Sequence, residues 1–146
     1  MTNALLASAA PAPLAGAGPT AGDDYRPGVC NIGPAEISRR RRAGHIGLIV
    51  TVVVFLALVA LHVPPLARLI VGLSAAGAAS GYLQAAFKFC AGFASRGVFN
   101  FGALGQTHEV VDPAAHARDR GRANQILLLS LAVGIVVAVV AAVVPL

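Results

Sequence analysis

Three long apolar runs, Ile46 to Val63, Leu66 to Phe87 and Ile126 to Leu146, constrain this chain more than any other feature. Only His62 breaks the first. Arg68 and Gln84 mark the two ends of the second, and the third carries no charge. Crossing about 30 Å of hydrocarbon takes about 20 helical residues, and each run is of that order. A soluble core helix seldom stays apolar all round for so long. Only 12% of the residues are charged against 57% hydrophobic, whereas a soluble domain carries about a quarter charged residues. The expected fold class is therefore all-α: an integral membrane protein of three transmembrane helices with no soluble domain. Pro64 and Pro65 cannot continue a helix, so the first two spans form a helical hairpin.

The net charge of +5 raises the question of nucleic acid. The distribution answers it, because the basic residues bracket apolar spans and no polar folded surface remains to present them. Arg26, Arg39, Arg40, Arg41 and Arg42 precede the first span; Lys88, Arg96, Arg118, Arg120 and Arg122 separate the second from the third; Arg68 alone lies in the hairpin connection. Ten of the eleven basic residues thus share one side. The positive-inside rule makes that side cytoplasmic, with the amino terminus there and the carboxyl terminus at the outer face. Arg39 to Arg42 step around a helix by about 100° each and form no directed stripe. Together with Lys88 and Arg96 they are expected to fix topology and contact anionic lipid headgroups.

Met1 to Gly22 is Ala-, Pro- and Gly-rich, without the basic and continuous apolar regions of a signal peptide, and residues 1–29 are expected to be a disordered cytoplasmic tail. A start site upstream of the true one is the competing explanation. Residues 30–102 form a two-span domain, 103–125 a cytoplasmic loop and juxtamembrane helix, and 126–146 the third span. Gly33, Pro34 and Glu36 mark a helix start that runs on into the first span, and Asp112-Pro113 marks another. Phe87, Phe89, Phe93, Phe99 and Phe101 are five of the six phenylalanines. The spacing of Phe89, Phe93 and Arg96 predicts that Lys88 to about Phe99 continues as an amphipathic helical extension near the headgroups.

The second span is rich in small residues: Gly72, Ser74, Gly77, Ala78 and Gly81 include a GxxxG at 77 and 81. In lipid no hydrophobic force drives helices together, so close backbone approach must, and small residues permit it. The second helix is expected at the centre of the bundle, facing Gly134, Ala138 and Ala142 on the third. A leftover smooth face is expected to support a homo-oligomer or a larger membrane complex.

Cys30 and Cys90 are the residues capable of chemistry. Both map to the reducing side. A thiol ahead of a helix amino terminus and near Arg39–Arg42 is expected to have a lowered pKa, while Cys90 also reads as a small buried residue. Whether the two meet depends on how residues 34–45 run, and both courses stay open. His45, His62, His108 and His116 show no ligand spacing with either cysteine, so no metal or other cofactor is expected. No nucleotide loop, serine elbow or carboxylate pair occurs. Asp23, Asp24, Glu36, Glu109, Asp112 and Asp119 read as caps and solvated charges.

Cys30, the stretch Glu36-Ile-Ser-Arg39-Arg-Arg-Arg-Ala-Gly44, Pro64-Pro65, Leu66-Ala-Arg68-Leu, the glycine-rich second helix, and Phe89-Cys90-Ala91 with Gly97 give residues 30–102 a pattern. It resembles the small two-helix bacterial inner-membrane domain that occurs alone or joined to rhodanese in YgaP-like proteins. The resemblance implies an inner-membrane module that pairs Cys30 with Cys90. The chain lacks a rhodanese domain and adds a third span, so enzymatic sulfur transfer is not implied. The leading expectation is a non-enzymatic structural or accessory subunit acting through helix packing. Its rival is a thiol or persulfide relay using Cys30 and Cys90. An oligomeric channel, lined by Ser74, Ser80 and Gln84, is a third reading.

Overall fold

The computed structural model describes residues 24–144. Most of the tail and the last two residues of the third run fall outside them. The chain is mostly helical and contains three helices long and apolar enough to cross a membrane. Helix α1 (Pro34–Ala60) opens as its sequence dictates: Gly33 is extended, Pro34 occupies the first turn and Glu36 supplies its acid. It runs unbroken through the arginines into the apolar run. Its end is a Schellman turn, with His62 in the left-handed region (φ 51°). There the His62 N–H donates to the Val59 carbonyl and the Val63 N–H to that of Leu58. Pro64 then starts the return.

The second run divides. Pro65–Ile70 forms a 3₁₀ turn, and α2 (Val71–Ala86) follows. Helix α2 closes with a second Schellman turn, in which Lys88 is left-handed (φ 52°). The Lys88 N–H donates to Ala85 and the Phe89 N–H to Gln84. The amphipathic extension expected from Lys88 onward is therefore broken at its first residue. Cys90 is extended and starts the separate short helix α3 (Ala91–Arg96), which Gly97 ends at φ 66°. Local turn chemistry overrode the spacing of Phe89 and Phe93.

The all-α expectation also needs one amendment. Val98–Phe99 (β1) pairs antiparallel with His108–Glu109 (β2). Helix α4 (Pro113–Val143) then begins where Asp112 accepts hydrogen bonds from the Ala114 and Ala115 N–H groups.

Helix α2 lies between α1 and α4, held by two seams of small residues. On one side Gly47 meets Ala78, and a Cβ at Gly81 would lie 2.6 Å from the Gly44 nitrogen and 2.9 Å from the Arg40 carbonyl oxygen. On the other, a Cβ at Gly72 would lie 2.7 Å from the Gly134 carbonyl oxygen and 2.8 Å from the Ala138 Cβ. Gly77 has nothing within 4 Å of such a Cβ, so the GxxxG is split: Gly81 packs and Gly77 faces open space. Ser74 donates to the Val71 carbonyl, and Gln84 donates to the Ser80 hydroxyl and accepts from the Ala91 N–H. Large aliphatic side chains such as Ile49, Leu127, Leu128 and Ile135 point outward, each more than half exposed.

At one end of the bundle, opposite the arginines, Arg68 is buried. Its guanidinium donates to the Val63 carbonyl at 2.9 Å and to the Val144 carbonyl at 3.3 Å. It thereby ties the hairpin turn to the end of α4, whose carbonyls attract a cation.

Candidate functional site

The other end, where the arginines gather, carries a polar cap built from residues 24–33, the segment from Phe87 to Asp112, and the first turns of α4. Its centre is Asn31, fully buried. The Asn31 side chain grips the backbone of a single residue: Nδ2 donates to the Cys90 carbonyl (3.1 Å) and Oδ1 accepts the Cys90 N–H (2.6 Å). Its own backbone accepts from the Asn100 N–H, and the Gly33 N–H donates back to the Asn100 carbonyl. Asn100, also fully buried, uses its side chain to hold Gly102 and Ala103. Gly33 sits where a Cβ would meet the Phe101 backbone at 2.8 Å. Two asparagines thus do between loops what small residues do between helices.

A second latch joins this cap to α4. Asp119 has no exposed surface. It accepts the Tyr25 hydroxyl at 2.7 Å and the Gly28 N–H at 2.6 Å, Gly28 being left-handed at φ 73°. Tyr25 stacks on Phe99 with ring centres 4.6 Å apart, and His108 stacks on the same phenylalanine. Burial, then the bond to Asp119, push the Tyr25 hydroxyl pKa well above its ordinary value. The disordered tail expected to reach residue 29 is thus corrected for residues 24–29, which form a strap bonded to α4. Asp119 and Glu36 are likewise not solvated charges. Glu36 is buried and lies 3.6 Å from the Arg39 guanidinium and 3.8 Å from that of Arg40.

The four arginines separate. Arg39, Arg41 and Arg42 are exposed, as are Lys88 and Arg96. Arg40 turns inward: its Nη2 lies 2.8 Å from the Cys90 sulfur, and its guanidinium sits over the Phe93 ring at 5.9 Å. Arg122 lies over the Phe87 ring at 4.2 Å. Cys90 is buried and Cys30 half-buried; both thiols are free and they are not close. The Cys30 sulfur faces the Ile32 carbonyl, whereas Cys90 faces Arg40. The lowered pKa expected for Cys30 is overturned. Desolvation raises it, and the Ile32 contact and the nearby Lys88 offset this only in part. The arginines do not activate it because Arg40, the one turned inward, is directed at the other thiol.

Cys30 opens onto a cleft of about 430 Å³ lined by Arg26, Lys88, Ile37, Phe87 and Phe101 among others. His45 is within 2.6 Å of the Tyr82 hydroxyl and His116 within 3.0 Å of the Ala94 carbonyl. Among the described residues no three His, Cys, Asp or Glu side chains gather as metal ligands. The residues that organise the cap, Asn31, Asn100, Tyr25 and Asp119, were not singled out by sequence pattern. One signal existed for Asp119: it continues the buried stripe of α4, Ala115, Asp119, Ala123, Ile126, Ser130 and Gly134, at helical spacing out of the apolar run.

No protein-family model, curated protein or solved structure matches this chain. The likeness to the two-helix inner-membrane domain rests on its residues alone.

Proposed function

We propose that the chain is a multi-pass protein of a bacterial inner membrane, a structural or accessory subunit that works by helix packing. The carrying observation is the inverted surface of the bundle. Glycine and alanine fill the seams, while leucine, isoleucine and valine cover the outside of α1 and α4. Water would penalise that surface by roughly 25 cal/mol for each Å² of apolar area, and a bilayer would not. The basic cap then lies in the cytoplasm, with Arg68 and the end of α4 at the outer face. In this reading residues 30–102 are a module of the YgaP-like two-helix type extended by α4.

Three features support an accessory role over the alternatives. The cap's buried polar groups, Asn31, Asn100 and Asp119, are engaged in holding the chain together rather than facing a common space. A Cys30–Cys90 relay finds no support in two free thiols that are apart and face different partners. A channel finds none in Ser74 and Gln84, whose polar atoms are bonded within or beside α2. The open stripe of α2 around Leu73 and Gly77 is the face offered to a partner or a second copy.

Two measurements test this. A periplasm-sensitive reporter fused after Leu146 should read the outer face and one fused ahead of Asp24 the cytoplasm; the reverse pattern overturns the orientation. A Gly77→Cys variant, treated with a short thiol cross-linker in native membranes, should give one discrete larger species. A chain that stays monomeric there and at Leu73→Cys has no packing partner on this face, and the accessory reading falls.

A further inference from the structure

We propose that the cleft beside Cys30 is a binding site for the phosphate of an anionic phospholipid, held by Arg26 and Lys88. The proposal rests on the membrane reading above and deepens it by naming one site. The first support is height. Tyr82 sits against Gly44 and His45, immediately before the apolar run of α1 begins at Ile46, and so marks the hydrocarbon boundary on α2. Ala86 and Phe87, which line the cleft, are about one helical turn further on, or roughly 6 Å. The polar layer of one leaflet is about 5–8 Å thick. The α2 wall of the cleft, at Ala86 and Phe87, therefore lies at the level of lipid phosphates, and its α1 wall at Pro34 and Ile37 reaches further from the hydrocarbon.

The second support is charge. Among the described residues the ion pairs are those of Glu36 with Arg39 and Arg40. Arg26 and Lys88, on the cleft wall, are in no such pair. Asp24, the cleft's acidic wall residue, leaves a net positive lining. The left-handed turn at Lys88 places this exposed cation at the mouth instead of continuing α2 past it. The third support is the remaining wall: Phe87, at the end of α2 beside Lys88, gives the glycerol and upper acyl carbons an apolar surface. A site for a wholly solvated anion has no use for that surface.

Cys30 lines the same cleft and reports its occupancy. The full chain is placed in nanodiscs of phosphatidylcholine alone or with phosphatidylglycerol, and Cys30 alkylation by N-ethylmaleimide is followed by peptide mass spectrometry. A Ser38→Cys variant, on an exposed α1 position, measures how far the anionic surface slows any nearby thiol. Phosphatidylglycerol should slow Cys30 about fivefold or more beyond that control, the size expected for one cation–headgroup contact. Arg26→Gln with Lys88→Asn should abolish the extra slowing while the helical circular dichroism persists. Asparagine is chosen because it tolerates the left-handed backbone. Should the double variant not fold, Lys88→Asn alone should at least halve the protection. Equal slowing of Cys30 and the control, or full protection in a folded variant, overturns the proposal. Equal protection by millimolar inorganic phosphate in neutral nanodiscs also overturns it, in favour of a free phosphate site. A chain that fails to enter nanodiscs of either composition overturns the membrane reading itself, a distinguishable result.

Discussion

The seams of α2 and the cap at its end bring chain segments equally close by opposite means. In the seams the approach is a matter of shape. Gly81, Gly72, Gly134 and Gly44 let backbones touch, and the contacts are dispersion and packing. In the cap the approach is a matter of direction. Asn31 bonds the Cys90 N–H and carbonyl, and Asp119 accepts from the Gly28 N–H and the Tyr25 hydroxyl. With the bundle in a bilayer, as proposed above, the difference follows from the surroundings. Hydrocarbon offers no hydrophobic drive and leaves close contact as the means of association, whereas at the water boundary loop peptides need explicit partners once buried. The seams should therefore fail sterically and the cap by loss of bonds.

The sharpest way to break this contrast compares two glycines four residues apart. Gly81→Ala places a methyl 2.6 Å from the Gly44 nitrogen and should destabilise the bundle by about 1–3 kcal/mol or more, since backbone cannot yield as a side chain does. Gly77→Ala meets open space and should be neutral or stabilise by up to about 1 kcal/mol through helix propensity. Denaturant titration of each variant in the same micelle, read by circular dichroism, gives the comparison. Equal losses at both positions would mean that the GxxxG acts as one unit and that the split seam is wrong.

The cap should respond more locally. Asp119→Ala removes two hydrogen bonds to a buried carboxylate, each worth about 1.5–3 kcal/mol before the recovered cost of burying the charge. The expected result is faster hydrogen exchange at Gly28 and through residues 24–30, with unfolding of the helices shifted by less than in Gly81→Ala. Alkaline pH offers a second route. The folded Tyr25 pKa is raised, so its contribution is fully present below the free tyrosine value of 10.0. It is lost as pH climbs through the folded value, and the strap should open only at strongly alkaline pH. Exchange rates unchanged in Asp119→Ala would show that the Tyr25–Phe99 stack alone holds the strap.

How much was legible in the sequence divides along the same line. Apolar runs and small-residue spacing are periodic signals, so the three long helices, the central place of the second and the caps at Pro34 and Asp112 could be read directly. The cap could not, because its contacts join residues far apart in the chain: Asn31 with Cys90 and Asn100, Tyr25 with Asp119. A single asparagine in a loop carries no periodicity that reveals its partner. Lys88 misled for a related reason. The apolar-aromatic spacing favoured continuing the helix, yet the chain takes a left-handed turn there, a conformation that costs a non-glycine residue about 1–2 kcal/mol locally. That cost is offset by burying Phe89 and Cys90, which are 0% and 1% exposed.

The smallest effect concerns Cys30, where both regions meet. Its thiol stands between the strap and the end of α2, and desolvation holds its pKa above that of free cysteine. The sign follows from linkage. The unfolded chain ionises first, so the stability associated with the neutral thiol is present below the free value and fades as pH rises through the folded one. At neutral pH the thiolate fraction is then smaller than in a model thiol, and alkylation should be several-fold slower. Its pH–rate profile should be displaced to higher pH, while Cys90 stays unreactive until the helices unfold. In Asp119→Ala the loosened strap, which is bridged to Cys30 through Arg26, should let water nearer the thiol and move the profile back toward free cysteine. A profile displaced to lower pH in the wild type would restore the activated nucleophile that sequence position alone suggests. It would also mean that burial does not govern the ionisation of this thiol.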